Sequence, residues 1–177
     1  MATGLALPPS GIDRLPEQSV GPALAARIAG KPANGSVLLA QPTNAPLQNV
    51  IWVDAGDEVL VHLDSVRARV LNGSILISID LETDQTGRTP LVVVFATGAL
   101  NDPAGLVAVT DELPRGNAAL AGRWGPIVRD AVWSALQGIA ADFAAIHKFA
   151  PRGISATQGV LLFQAGAPLT VVGGVLA

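Results

Sequence analysis

Between residues 66 and 79, apolar and polar side chains alternate on both sides of an Asn-Gly pair, with Val66, Ala68 and Val70 before it and Ile75, Ile77 and Ile79 after it. A period of two is that of a strand with one buried face. Asn-Gly is a strong hairpin signal, suited to a two-residue type I′ turn in which both central residues need φ > 0. A turn at Asn72-Gly73 pairs Leu71 with Ser74, Val70 with Ile75, Ala68 with Ile77 and Val66 with Ile79. One face is then wholly apolar. The other carries Arg67 and Arg69 beside Ser78 and Asp80, with Glu82 and Asp84 following. A slip of one residue would turn the whole apolar set outward.

The same reading extends along the chain. "SVLLAQ", "NVIWVDAG" and "EVLVHLD" are short apolar runs punctuated by Pro, Asn, Gly and Asp, which marks strands joined by turns. "PLVVVFATG" is apolar on both faces, as for a central strand covered on two sides. "LVAVTDE" extends the meander to at least four strands, and "LPRGNAALAGRWG" reads as a loop with at most a short helical turn. "GVLLFQAG" and "PLTVVGGVLA" predict a terminal hairpin turning around Gly166-Ala167-Pro168.

Two segments read as helices. "SVGPALAARIAG" offers Ser19 as N-cap, Pro22 near the first turn and Gly30 as stop. "GPIVRDAVWSALQGIAADFAAIHKFAP" predicts a long helix over about 126–149, with Pro126 in the first turn. Its stripe of Val128, Val132, Leu136, Ile139, Phe143 and Ile146 should lie on the sheet, and Ala140, Ala141, Ala144 and Ala145 form a second, small face. Residues 1–18 hold three prolines and no periodicity, so they read as a proline-rich arm or tail ahead of one domain over 19–177. The fold class is α+β, an antiparallel meander crossed by one long helix.

Composition narrows the function. Half of the 177 residues are apolar and only 14% are charged, with a mean hydropathy of +0.46. No apolar run approaches the ~20 residues that span a bilayer, so the excess is expected to meet protein rather than membrane. Net charge is −3, with Lys31 and Lys148 against nine arginines, which disfavours nucleic acid as a partner. No cysteine is present, which excludes disulfides, thiolate catalysis and cysteine-bound metals. The N-terminus has no basic stretch leading into a long apolar one, so a cytoplasmic setting is expected.

Candidate chemistry is sparse. The chain lacks G-x-S-x-G, G-x-x-x-x-G-K-[ST], G-x-G-x-x-G after a strand, and H-E-x-x-H. "DLETDQTG" suggests calcium, but its glycine falls at the eighth position of the loop rather than the sixth, and no glutamate follows at the twelfth. His62 and Asp64 lie two apart on a strand; if that strand runs unbroken, both point to the core face, and His147 near the helix end completes a catalytic candidate. Against this, Val59, Val61 and Leu63 also form a clean apolar face, so a bulge near Asp64-Ser65 would turn His62 out to solvent. His147 suits a helix C-terminus without any ligand. Arg115, Arg123 and Trp124, ahead of the long helix, are candidates for clamping a small anionic or aromatic ligand. No cofactor or metal is expected.

The reading that follows is a non-enzymatic, self-associating assembly component or small binding protein. A homo-oligomer, with a dimer favoured, would use strand edges, the alanine face or the arm. The alternative is a small enzyme or metalloprotein using His62, Asp64 and His147.

Overall fold

The structure is a computed structural model and describes residues 10–30, 37–39, 49–97, 108–109, 114–166, 171–172 and 175–176. It is α+β, with antiparallel sheets and a long helix in the C-terminal half. Strands β1 (Ser10–Pro16) and β2 (Val37–Leu39) flank helix α1 (Glu17–Gly30). The meander runs through β3 (Val50–Asp54), β4 (Asp57–Leu71), β5 (Ser74–Thr83) and β6 (Gly87–Ala96). Short strands β7 (Ala108–Val109) and β8 (Arg115–Gly116) both pair with β6. Helix α2 (Ala118–Ile146) is followed by β9 (Ala150–Thr157), β10 (Val160–Gly166), β11 (Val171–Val172) and β12 (Val175–Leu176).

The hairpin at Asn72-Gly73 has the expected register near its turn, with Val70 opposite Ile75, Ala68 opposite Ile77 and Arg67 opposite Ser78. Val70, Ile75, Ile77 and Ile79 are buried and Arg67 is exposed. The turn is nevertheless not type I′. Gly73 has φ +76°, but Asn72 keeps a negative φ. A type I′ turn does close the β3–β4 hairpin, where Ala55 and Gly56 have φ +50° and +88°. A left-handed alanine costs roughly 1–2 kcal/mol.

Asn72-Gly73 departs from the isolated-hairpin geometry because it is docked on a second hairpin. The Gly73 N–H donates to the Ala156 carbonyl, the Gly159 N–H to the Val70 carbonyl, and the Gln158 N–H to Asn72 Oδ1, each at 2.9 Å. The Glu17 N–H donates to the Gly159 carbonyl at 2.9 Å, and Glu17 Oε2 accepts the Val70 N–H at 2.7 Å. The tips of β4–β5 and β9–β10 are thus bonded to each other and to the start of α1.

This second sheet corrects several expectations. β10 pairs with β9 and, on its other side, with β1. Residues 10–16 are therefore a strand, while 1–9 lie outside the described residues. β1 forms only by pairing with residues about 150 positions later, a contact that local pattern does not announce. Gly166 ends β10 instead of turning it onto β11, which pairs with β12; Ala167 and Pro168 lie outside the described residues. Helix α1 begins at Glu17, so Ser19 is inside it and is not its cap. β6 is not central: it lies beside the short edge strands, with Leu91, Val93 and Phe95 buried and Val92 and Val94 half-buried.

α2 starts eight residues before the expected site because Asn117 caps it, Oδ1 accepting from the N–H groups of Ala119 (3.0 Å) and Leu120 (3.2 Å). Pro126 is accommodated within the helix. Its buried stripe includes Leu120, Trp124, Val128, Val132, Leu136 and Ile139. Phe143 is half-buried and stacks on Phe163 at 5.0 Å, whereas Ile146, expected on the sheet, is 72% exposed. The alanine face is split, with Ala140 and Ala144 buried and Ala141 and Ala145 exposed. α2 contacts β6 on one side and β9 and β10 on the other, and α1 packs on β4 and α2.

The approach of α1 to β4 depends on Gly21, because a Cβ there would stand 2.5 Å from the Val66 carbonyl oxygen. Backbone cannot yield as a side chain can. Gly21→Ala is expected to lower stability by about 1–3 kcal/mol, the scale of core overpacking, as measured by urea unfolding; a change below about 0.5 kcal/mol, the usual scale of a neutral substitution, would remove the close-packing account.

Candidate functional site

The position of His62 is decided by a bulge in β4. Register runs to His62 opposite Asp80 and resumes at Arg67 opposite Ser78, so residues 63–66 stand against Ile79 alone. Ser65 replaces the lost ladder bonds: its Oγ donates to the His62 carbonyl at 2.6 Å and accepts the Asp80 N–H at 2.7 Å. The inserted residues shift the buried positions from Val59, Val61 and Leu63 to Val66 and Val70. His62 therefore shares the outer face of the sheet with Asp80 and Glu82. The bulge does turn His62 away from the core, but not into solvent. The residue is 6% exposed, with Nε2 2.7 Å from Glu82 Oε2.

The candidate catalytic residues take separate partners. Asp64 is exposed and lies 3.9 Å from Arg88, which donates to Asp80 at 2.8 Å. His147 bonds through Nε2 to Asp13 Oδ2 of β1 at 2.8 Å. Among the described residues, no three His, Asp or Glu side chains are gathered to hold a metal, and no serine or threonine hydroxyl bonds either imidazole ring. Sequence reading missed Glu82 and Asp13 as partners, since the separations of 20 and 134 residues follow from pairing and packing rather than from spacing.

At the other end of α2, Arg123 joins the helix to the β3–β4 hairpin. Nε donates to Asp57 Oδ2 and Nη1 to Asp54 Oδ2, both at 2.8 Å, while Nη2 donates to the Asp54 carbonyl at 2.6 Å. Asp54 and Asp57 are cross-strand neighbours on either side of the Ala55-Gly56 turn. Two like charges placed opposite each other are unfavourable, and Arg123 supplies the charge between them. Hydrogen bonds to Asp57 and then Asp54 raise the Arg123 pKa above its ordinary value. An upward shift leaves its contribution complete below the ordinary arginine value and lost only as pH climbs through the raised one. From the arginine's side, the clamp is constant across the neutral range.

Arg123 also lies over the Trp124 ring, 4.7 Å from its centroid. Trp124 is buried, and Arg115 is an exposed residue of β8 opposite Val92. Of the three proposed clamp residues, Arg123 and Trp124 are in contact and line a cleft of about 400 Å³ that does not include Arg115. The cleft separates the β3–β4 turn from the β5–β6 turn at the first turns of α2, and Asp57, Glu58 and Asp84 are on its wall. Its helix-end and arginine donors are committed, since Asn117 occupies the Ala119 and Leu120 N–H groups and the aspartates occupy Arg123, which leaves the Gln85 amide beside the carboxylates. Carboxylates therefore dominate what it offers to a ligand, which does not suit an anion.

A second cavity, of about 410 Å³, has a different character. It is a groove between the helices, lined by Leu15 of β1, Ala23 and Ala26 of α1, and Ile139, Phe143 and Ile146 of α2. Arg27 and Asp142, paired with each other, stand on its α1 and α2 walls. Arg27 also donates to the Gly138 carbonyl at 2.9 Å. The sequence named Ile139, Phe143 and Ile146 as a stripe, but it had no means of placing α1 beside them. No family model, known protein or solved structure matches this chain.

The clamp predicts a change of sign in a double-mutant cycle. Arg123→Met should lower stability by up to about 1 kcal/mol. Asp57→Asn should destabilise the wild type but stabilise the Arg123→Met protein, where it relieves repulsion from Asp54. Thermal melts of the four proteins check this, and the same sign in both backgrounds would contradict the clamp.

The bulge predicts that Ser65→Ala costs about 1–2 kcal/mol, because the half-buried Asp80 N–H and His62 carbonyl lose their partner. Ser65→Thr, which keeps the hydroxyl, should stay closer to wild type in the same melts. Equal loss in both variants would show that the hydroxyl is not what closes the bulge.

Proposed function

We propose that this is a non-enzymatic protein that works by self-association. The observation carrying the reading is the open apolar groove between α1 and α2, with Ile146 72% exposed at its end. Ile146 is the large exposed hydrophobic residue among the described residues. A solvent-facing apolar recess beside such a side chain marks an association surface more readily than a stable monomer surface. The low charge content and the mean hydropathy of +0.46 agree with it.

The enzyme alternative drew its strength from His62, Asp64 and His147 acting together. With separate partners for each, it retains two unconnected histidine–carboxylate pairs, His62–Glu82 and His147–Asp13. A histidine sealed against one carboxylate is also an ordinary way to satisfy a buried polar side chain.

Multi-angle light scattering on a size-exclusion peak tests the proposal. The expected result at micromolar concentration is twice the 18.0 kDa chain mass, falling towards the single mass on dilution. A single-chain mass throughout the micromolar range would defeat the self-association reading.

A further inference from the structure

We infer that the occupant of the α1–α2 groove is a second copy of this chain, docked about a two-fold axis so that Ile146 of each copy enters the groove of the other beside Ala26. This rests on the self-association reading and specifies where it happens. A two-fold interface must present the same patch on both sides, so the patch has to carry both a projection and the recess that receives it. This patch does. Ile146 projects from the last residue of α2, and the α1 wall beside it is built from Ala23 and Ala26, whose small side chains leave the recess open.

The charges at the rim support the same occupant. Arg27 stands on the α1 wall and Asp142 on the α2 wall. A two-fold that brings each α1 wall to the partner's α2 wall sets basic against acidic on both sides, so the rim is complementary to itself. Asp142 is 65% exposed although it is paired with Arg27, which leaves it accessible to a cation from across the axis. The neighbouring His147 is already matched by Asp13, while Lys148, next along the chain, is exposed and adds a positive charge to that flank.

The placement makes two residues on different helices direct neighbours across the interface, which a complementation experiment reads. Ala26 and Ile146 are both exposed, so Ala26→Arg and Ile146→Asp should leave the melting temperature near wild type. Each variant alone puts a charge into an apolar contact twice per dimer. Each should weaken dimerisation by about 30-fold or more, the scale of losing an interface hot spot. Mixed in equal amounts, the two should recover a dimer containing one of each. One half of that interface is native, and the other sets the arginine introduced in one copy against the aspartate introduced in its partner. Dimers persisting in either variant alone, or no recovery on mixing, would overturn the placement while leaving self-association standing. A wild-type monomer would instead defeat the reading beneath it.

The absence of cysteine provides a second measurement that does not depend on tolerance of charge. Ala26→Cys and Ile146→Cys, mixed under mild oxidation, should give a disulfide-linked heterodimer in preference to either homodimer. A yield no higher than that from the separate variants would count against the contact, and would point to another apolar partner as the occupant.

Discussion

The crossing of two hairpin tips holds this molecule together. Around Asn72-Gly73 and Gln158-Gly159, backbone donors and acceptors that would otherwise end in solvent are exchanged between the two sheets. Glu17 adds both its N–H and its carboxylate to the same junction. Each such bond contributes only about 0.5–1.5 kcal/mol net. Their position matters more than their sum, because they join the β4–β5 tip to β9 and the β9–β10 turn and set where α1 begins. With that junction in place, α2 is held between β6 of the larger sheet and β9 and β10 of the smaller one.

The two ends of α2 then differ in kind. Its N-terminal part is bound to the β3–β4 turn through Arg123, which compensates two facing aspartates. Its C-terminal part runs past the core: Phe143 still stacks on Phe163, but Ile146 stands out in solvent. Polar groups at the first end satisfy one another, while apolar groups at the second are left partly unsatisfied. The proposed association rests on that asymmetry rather than on chemistry at the histidines.

The outer face of the larger sheet follows the same economy. The bulge at residues 63–66 moves His62 off the core side, Ser65 repairs the ladder, and the remaining charges meet as His62 with Glu82 and Arg88 with Asp80. These contacts account for side chains that, read along the chain, resembled fragments of a catalytic or metal site.

Much of the local structure was legible in the sequence, because alternation and helical spacing report which face of an element is buried. The β4–β5 hairpin near its turn, the apolar core face of β6, the long helix and the α+β class all follow from such patterns, and so did the suspicion of a bulge near Asp64-Ser65. What tertiary structure alone decided depends on elements far apart in the chain. The strand at 10–16 exists because β10 offers it an edge, and Asn72 leaves the type I′ geometry because Gln158 bonds its side chain. The partners of His62, His147 and Arg123 are assigned by register and packing, and the groove exists only where α1 lies beside α2. A residue's own periodicity records whether it is buried; its partners depend on which distant backbone arrives beside it, and no local pattern carries that information.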